Sequence, residues 1–310
     1  MNWLVESNIK NKIIKSITKY KKNGNISIAL INNDKEIIYG NNCYYDIGSI
    51  SKVFTSLLVL DLVSKGKIKL DDTIDKYIDL PSGVYPTIFS LLSHRTGYHH
   101  LTPISITFWP LFFHHYKNKN IYENITKKEV IKEIIKRKNK ISNKYCYSDF
   151  TYAILAVLLE SIYNSDFNKI MDEYLKSIGL YDSLCINSNI ERISKKNWRW
   201  NSDNPYLASG GIASTISDMI KFIRYEFDRV HEDEFKIMKK HNLTYFTTPK
   251  GHLFWHVGGV GYFRSSILIN PKRRIGVIVM GNNIGLKGAN PYYISKLLYT
   301  AIRRNKIIFD

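Results

Sequence analysis

Apolar residues recur along the chain with two periods, and each period marks a different part of it. Short runs rich in apolar residues, alternating at residues 26–31, predict strands near both ends, at residues 26–31, 36–39, 253–256, 263–270 and 275–280. Asn32, Asn33 and Asp34 separate the first two strands as a turn, which predicts a hairpin. Apolar residues three and four positions apart predict helices at residues 8–21, 53–65, 127–138, 150–163, 166–178, 214–227 and 292–304. Shorter helical pieces are predicted at residues 70–77 and 86–93.

The order of these elements predicts an α+β fold. Strands from both chain ends would form one antiparallel sheet flanked by helices, and the middle of the chain would form a mostly helical lobe. We interpret the chain as a single domain over residues 1–310, with a sheet lobe at about 1–48 and 245–310 and a helical lobe at about 49–244. A binding site is expected between the lobes, because pockets favour such junctions.

The high net charge does not by itself indicate a binding partner. The chain has 310 residues, 44% of them hydrophobic, and a net charge of +18, which raises nucleic acid or an anionic membrane as a partner. The lysines are scattered, however, and they accompany many Asn, Ile and Tyr residues, which share A/T-rich codons with Lys. Since no recognition motif accompanies the charge, we predict no specific nucleic-acid partner.

Neither the first residues nor the apolar segments indicate export. Residues 1–6 show no basic region leading into an apolar one, and no apolar stretch is long enough to span a bilayer. Cys43, Cys146 and Cys185 are an odd number of cysteines without metal-site spacing, so no disulfide framework is expected. These features favour a cytoplasmic protein without a membrane span.

A group of histidines raises the question of a metal, namely His99, His100, His114 and His115. Adjacent histidines point in different directions, so we predict neither a metal nor another cofactor. The aromatic-rich stretch at residues 102–116 is broken by Pro103 and Pro110. It could form a pocket wall or lid, or an irregular packed segment.

The first candidate catalytic residues are Ser49 and Lys52, just before the predicted helix at residues 53–65. Three positions apart, their side chains would share one face of a helix. A serine hydroxyl becomes an effective nucleophile when a base takes its proton, and a lysine whose pKa is lowered can be that base. Because S-x-x-K occurs by chance in many proteins, the prediction depends on residues elsewhere.

Tyr147 and Asp149 lie on a polar turn before a helix that is apolar on most sides. A phenol beside a lysinium can act as a phenolate base or pass a proton to a leaving group. Asp149 could bond Lys52 or a substrate amide, although Asp is also common at helix N-termini.

His256, Gly258 and Gly259 lie on an aromatic-flanked strand. Glycines inside a strand often mark the close approach of a ligand backbone. The N–H groups of Gly259 and Ser49 would together form an oxyanion hole for a tetrahedral intermediate. His256 could line the same site or be a buried sheet histidine.

Taken in order, GSISK at residues 48–52, YSD at 147–149 and HVG at 256–258 resemble three motifs of class C β-lactamases and their relatives. Those relatives include D-alanyl-D-alanine carboxypeptidases, D-aminopeptidases and β-lactamase-fold esterases. Residues 70–77, 91–97 and 209–218 are similar to further family stretches, so the resemblance spans roughly residues 25–280. It implies a β-lactamase/transpeptidase-like fold and a penicillin-binding-protein-like serine hydrolase.

The resemblance also implies a role for each candidate residue. Ser49 would be acylated, while Lys52 and Tyr147 would share proton transfer. The Ser49 and Gly259 N–H groups would form the oxyanion hole. The substrate-binding positions would be Asp149, His256 and Gly258.

Two positions depart from the family pattern, because Asp149 replaces the usual Asn of Y-x-N and His256 replaces the Lys of K-T-G in β-lactamases. Both changes make the pocket less positive. A unit charge at about 4 Å is worth roughly 4 kcal/mol at an effective dielectric of 20, so carboxylate-bearing substrates should be disfavoured. An ionised Asp149 should also raise the pKa of Lys52 and make it a poorer base.

We therefore expect a serine hydrolase that forms an acyl-enzyme on an amide or ester of a small molecule or peptide, with D-aminopeptidase-like or esterase-like activity. β-Lactamase or D,D-carboxypeptidase activity, acyl transfer to a non-water acceptor, and a non-catalytic ligand binder remain alternatives. The sequence leaves the substrate and the oligomeric state open.

Overall fold

The computed structural model describes residues 24–99, 120–186, 198–241, 243–248, 252–282 and 290–309, with residues 11 and 15 as isolated helical positions. Apart from those two positions, the predicted helix at residues 8–21 lies outside the described residues. The aromatic stretch at residues 102–116 also lies outside them.

The larger sheet is antiparallel and joins the two ends of the chain. Its strands, in spatial order, are β2 (Lys35–Tyr39), β1 (Ile26–Asn32), β9 (Ile275–Gly281), β8 (Phe263–Asn270), β7 (Phe254–Val260) and β6 (Phe246–Thr247). The N-terminal hairpin therefore meets the last strand directly, with Ile28 opposite Val279. This arrangement confirms the predicted α+β fold with a sheet built from both chain ends.

Most of the helices in the described part of the chain lie between the hairpin and β6. In chain order they are α1 (Ser51–Ser64), α2 (Ile88–Leu92), α3 (Lys127–Lys136), α4 (Asp149–Tyr163), α5 (Phe167–Ser177), α6 (Leu207–Gly210), α7 (Ile216–Asp228) and α8 (Asp233–His241), with α9 (Pro291–Arg303) after the sheet. α1 and α4 contact each other and are apolar on nearly all sides, so they form the centre of the helical part.

Helices cover both faces of the sheet. α9 packs on β8 and β9, and α7 packs on β1 and β9. Successive residues of β9 therefore belong to two different apolar clusters. Val277 packs in the cluster that includes α9, and Ile278 packs in the cluster that includes the helical part. Burial on both faces explains why β9 is a continuous apolar run rather than an alternating one.

Several short elements differ from the sequence prediction. A second sheet has the order β3 (Tyr45–Asp46), β5 (Ile212–Ser214) and β4 (Leu184–Cys185), and strands of two or three residues are too short to show a period. Ser214, which the pattern places in a helix, belongs to β5. β3 belongs to the predicted sheet lobe and β5 to the predicted helical lobe, yet the two strands pair. The division of the chain into two lobes therefore stays a prediction.

Candidate active site

Ser49 lies on a single 3₁₀ turn, Gly48–Ile50, that leads directly into α1. Gly48 has a φ of 54°, in the left-handed region, and a Cβ there would lie 2.6 Å from the Gly259 nitrogen. Only glycine allows the turn to approach β7 so closely. The Ser265 hydroxyl of β8 also donates to the Ile47 carbonyl, at 2.7 Å, and holds the turn against the sheet.

Lys52 points from the first turn of α1 towards Ser49, as the three-residue spacing predicts. Its Nζ lies 3.3 Å from Ser49 Oγ and 2.9 Å from the carbonyl oxygen of Ser209. The same Nζ lies 2.5 Å from Asp149 Oδ1. The Lys52 side chain is completely buried, so these partners replace its hydration.

Opposing effects act on the pKa of Lys52. Burial alone would lower the pKa, but the negative charge of Asp149 and interactions with Tyr147 outweigh burial and raise the pKa above its ordinary value. Lys52 is therefore an ammonium at neutral pH. The sequence-based expectation that Asp149 raises this pKa agrees with the geometry, and a neutral Lys52 base is disfavoured.

Tyr147 lies just before α4, where it meets the Lys52 ammonium. Lys52 Nζ is 5.0 Å from the centre of the Tyr147 ring, and a hydrogen bond to Tyr147 contributes to the raised Lys52 pKa. The Tyr147 ring also packs against His94, with ring centres 4.6 Å apart. Ser49 and Tyr147 therefore share one cationic neighbour, although they lie 98 positions apart in the chain.

Asp149 is the first residue of α4, and its carboxylate has a partner on each oxygen. Oδ1 pairs with Lys52, and Oδ2 accepts a hydrogen bond of 2.8 Å from the Tyr122 hydroxyl. Tyr122 is 3% exposed and stacks on Tyr206 with a centroid distance of 4.1 Å. The Lys52–Asp149 pair is thus neutral overall and fixed from both sides.

A cavity of about 340 Å³ opens beside Ser49. Asp149, Ser209, Gly210 and Gly259 form its polar side, and its remaining walls are largely apolar: Ile121, Tyr122, Trp198, Trp200 and Val260. Gly259 is exposed within β7, whereas its neighbour Gly258 is buried. A Cβ at Gly258 would overlap the Ile47 carbonyl oxygen, so Gly258 serves the contact between β7 and the Ser49 turn.

His256 occupies a different environment from the one that a substrate-binding role suggests. It is 3% exposed and lines a smaller cavity of about 70 Å³ with His94, Tyr145, Tyr152 and other residues. Burial, followed by the positive charge of Lys52, lowers the pKa of His256 to about 3. His256 is therefore neutral and does not replace the charge of a lysine.

The hydrogen bond of His256 fixes its tautomer. Nδ1 lies 2.8 Å from the Val257 carbonyl oxygen, which can only accept a hydrogen bond, so Nδ1 carries the proton. The lone pair of a neutral ring then remains on Nε2.

Sequence reasoning misses two contributions to the site, Tyr122 and the Ser209 carbonyl. Tyr122 lies in a short polar segment whose apolar residues follow neither a helix nor a strand period. The Ser209 carbonyl belongs to the backbone, so no residue type in the sequence indicates its role. His94 lies in the stretch at residues 91–97 that resembles the family, but the sequence assigns no role to this residue. Its Nδ1 accepts the backbone N–H of Ser148 at 3.2 Å, and its ring packs on Tyr147.

The described residues hold no group of three His, Cys, Asp or Glu side chains that could bind a metal. Of the four histidines considered for such a site, only His99 lies within the described part of the chain. In that same part, no helix has the length and apolar character needed to cross a bilayer.

The family model named Beta-lactamase matches residues 13–290, and the chain belongs to this family. A curated relative is Protein flp of Staphylococcus aureus (strain MRSA252), 22% identical over 298 residues. That match covers 86% of this chain but 56% of the relative, so the chain spans little more than half the length of Protein flp.

Solved structures share the fold at low sequence identity. An octameric penicillin-binding protein homologue from Pyrococcus abyssi has a TM-score of 0.74 and 20% identity, covering 96% of this chain and 77% of that one. A β-lactamase/D-alanine carboxypeptidase from Yersinia pestis has a TM-score of 0.73 and 17% identity, covering 96% and 98%. The fold is therefore β-lactamase/transpeptidase-like.

Proposed function

We propose that this protein is a serine hydrolase that forms an acyl-enzyme on Ser49 from an amide or ester. The observation that carries the proposal is the Ser49 hydroxyl, 3.3 Å from the buried Lys52 ammonium and facing a cavity that Gly259 also lines. Membership of the Beta-lactamase family supports it, because the members of this superfamily are serine hydrolases.

The proton of Ser49 requires an acceptor other than Lys52, since Lys52 is already an ammonium. Tyr147 contacts the same ammonium, which would stabilise the negative charge of a phenolate. In the proposed first step, Ser49 Oγ bonds to the substrate carbonyl carbon, the Ser49 proton passes to the phenolate oxygen of Tyr147, and the carbonyl π electrons move to the carbonyl oxygen. Tyr147 then returns the proton to the leaving nitrogen or oxygen as the tetrahedral intermediate collapses.

The carbonyl oxygen gains negative charge in the same step. The backbone N–H groups of Ser49 and Gly259 are the proposed donors, because both residues line one cavity and the two backbones approach each other through Gly48. Water would then attack the acyl-enzyme with Tyr147 as the base, releasing the acid and restoring Ser49.

The charges of the site favour a neutral substrate end. Lys52 and Asp149 cancel each other, and His256 is neutral. A substrate ammonium is therefore not required to balance Asp149. A carboxylate gains little from this neutral site, so we propose D-aminopeptidase-like or esterase-like activity rather than strong β-lactamase activity.

A hydrolysis screen tests this assignment. Purified protein and its Ser49→Ala variant are assayed against D-amino acid amides, short-chain esters and a chromogenic β-lactam. We expect turnover of an ester or amide that exceeds β-lactam turnover and that disappears in Ser49→Ala. Turnover that survives Ser49→Ala, or a β-lactam as the preferred substrate, would contradict the proposal.

A non-catalytic ligand binder is the second candidate, and the tight Lys52–Asp149 pair is the observation that favours it. If the protein is a non-catalytic binder, the parent protein will turn over nothing, and Asp149→Asn will not produce activity either. Adding amines or alcohols to the same assay and looking for transfer products distinguishes hydrolysis from acyl transfer.

A further inference from the structure

A second and larger cavity, of about 750 Å³, lies away from Ser49. It is enclosed by the end of α7, the following turn, α8, the beginning of β7 and the turn between β8 and β9. Its lining shares no residue with the described lining of the Ser49 cavity. Ligand pockets commonly have volumes of about 300–1,000 Å³, so this cavity could hold a complete small molecule.

The floor of this cavity is aromatic and buried. Phe227, Phe235 and Phe254 line it and are 2%, 6% and 4% exposed. The Phe235 and Phe254 rings meet edge to face with centroids 5.5 Å apart. Such a floor favours a flat or aliphatic apolar body over a hydrated ion.

The rim is cationic beyond what the composition explains. Among the described residues, twelve line the cavity and four of these are Lys or Arg, against 45 of 310 in the whole chain, so the excess is local. The four are Lys236, Lys239, Lys272 and Arg274, and the exposed His231 and His252 lie beside them.

Two of these cations are free to meet a ligand. Arg274 pairs with Asp228 at 2.7 Å, and Lys236 pairs with Asp233 at 2.8 Å. Lys239 and Lys272 are exposed and form no ion pair with any residue in the described part of the chain. The cavity therefore presents two uncompensated ammonium groups above an aromatic floor.

We propose that this cavity binds a small amphipathic anion, with an aromatic or aliphatic body on the phenylalanine floor and a carboxylate, sulfonate or phosphate group at Lys239 and Lys272. Such a molecule matches the lining, because the buried phenylalanines offer apolar contact and the exposed lysines of the same cavity attract an anion. A cation of the same shape would meet repulsion at the rim.

Calorimetric titration of the full chain with naphthalene-2-sulfonate tests the proposal. We expect the sulfonate to bind at least about tenfold more tightly than 2-naphthyltrimethylammonium, and more tightly than methanesulfonate, which lacks the apolar body. Raising the salt concentration should weaken sulfonate binding, because the rim is exposed. Equal affinity for the anion and the cation would overturn the proposal.

The double variant Lys239→Glu/Lys272→Glu should weaken sulfonate binding at least about tenfold. The matched control is Lys128→Glu/Lys132→Glu, which changes net charge equally at two exposed lysines of α3. This control and Ser49→Ala should bind the sulfonate as the parent does, and circular dichroism checks that all variants are folded. Equal losses in both double variants, or loss in Ser49→Ala, would place the binding elsewhere and contradict the proposal.

Discussion

Among single residues, Asp149 has the largest influence on the charge of the candidate active site. It holds the buried Lys52 as an ammonium, and Tyr122 holds Asp149 in turn. A family position that usually carries a neutral amide is here one half of an ion pair. Under the proposed mechanism, the reactivity of Ser49 depends on the phenol of Tyr147 more than on the amine of Lys52.

The Asp149→Asn substitution should lower the pKa of Lys52, because the largest effect that raises it is removed. We expect the pH–rate profile for Ser49 acylation to shift to lower pH, and turnover of a carboxylate-bearing β-lactam to rise at least about tenfold relative to a neutral ester. Loss of the partner of a buried charge should also destabilise the fold by about 3 kcal/mol or more.

Tyr122→Phe is the matched control for Asp149→Asn. It removes the hydrogen bond to Asp149 Oδ2 but keeps the ion pair with Lys52. Its pH–rate profile should stay close to that of the parent. If Asp149→Asn leaves the profile and the melting temperature unchanged, the ion pair does not control Lys52.

His256 should make the protein sensitive to acid. The folded-state pKa of His256 is about 3, while a histidine in the unfolded chain titrates near 6.5. The unfolded chain therefore binds a proton below about pH 6.5 that the folded protein refuses, so stability falls with decreasing pH, by about 1.4 kcal/mol per pH unit. His256→Gln should remove this dependence.

Melting temperatures of the parent and His256→Gln at pH 7 and pH 5 measure the effect. The parent should lose about 2 kcal/mol more stability over this interval than the variant. His252→Gln, at an exposed histidine, is the control and should behave as the parent does. Parallel pH dependence of the parent and His256→Gln would show that His256 is protonated in the folded state.

The contact between β7 and the 3₁₀ turn is the element-scale feature that positions Ser49. Gly258 faces the turn, whereas Gly259 faces the cavity, because neighbouring residues of a strand point to opposite faces. Two adjacent glycines therefore have different tasks. Gly258 allows the close contact with the turn, and Gly259 carries the N–H group proposed for the oxyanion hole.

Gly258→Ala should destabilise the protein by about 2 kcal/mol or more, because its methyl group would overlap the Ile47 carbonyl oxygen. It should also slow acylation of Ser49. Gly259→Ala places its methyl group 3.4 Å from Arg264 Cδ, an ordinary contact, and keeps the backbone N–H. Similar effects of both substitutions on unfolding and on acylation would show that the turn is not held by this contact.

The sequence predicts long elements and motif chemistry better than short elements and burial. The 3.6-residue period identifies the amphipathic helices α3, α5, α7 and α9. The three motifs, taken in order, single out Ser49, Lys52 and Tyr147 as neighbours. β3, β4 and β6 have two residues each and show no period. The neutrality of His256 depends on tertiary burial, which no local pattern encodes.

At the scale of the whole molecule, one antiparallel sheet closes the chain on itself. β1 pairs with β9, so residues near both ends must meet before the sheet is complete. The net charge of +18 opposes this compact arrangement through self-repulsion.

Salt should therefore stabilise the folded protein. Increasing NaCl from about 20 to 300 mM shortens the screening length from about 20 to 6 Å, and we expect the melting temperature to rise by about 2–4 °C. An equal osmolarity of glucose is the control for effects unrelated to charge. A melting temperature that falls with NaCl would indicate that ion pairs outweigh the repulsion.

The central claim is that Ser49 is a nucleophile activated by Lys52 and Tyr147. Incubation with a fluorophosphonate, followed by intact-protein mass spectrometry and peptide mapping, shows whether Ser49 reacts as a nucleophile. We expect one adduct on Ser49 in the parent protein and none in Ser49→Ala. No adduct on the parent, or an adduct that persists in Ser49→Ala, would contradict it.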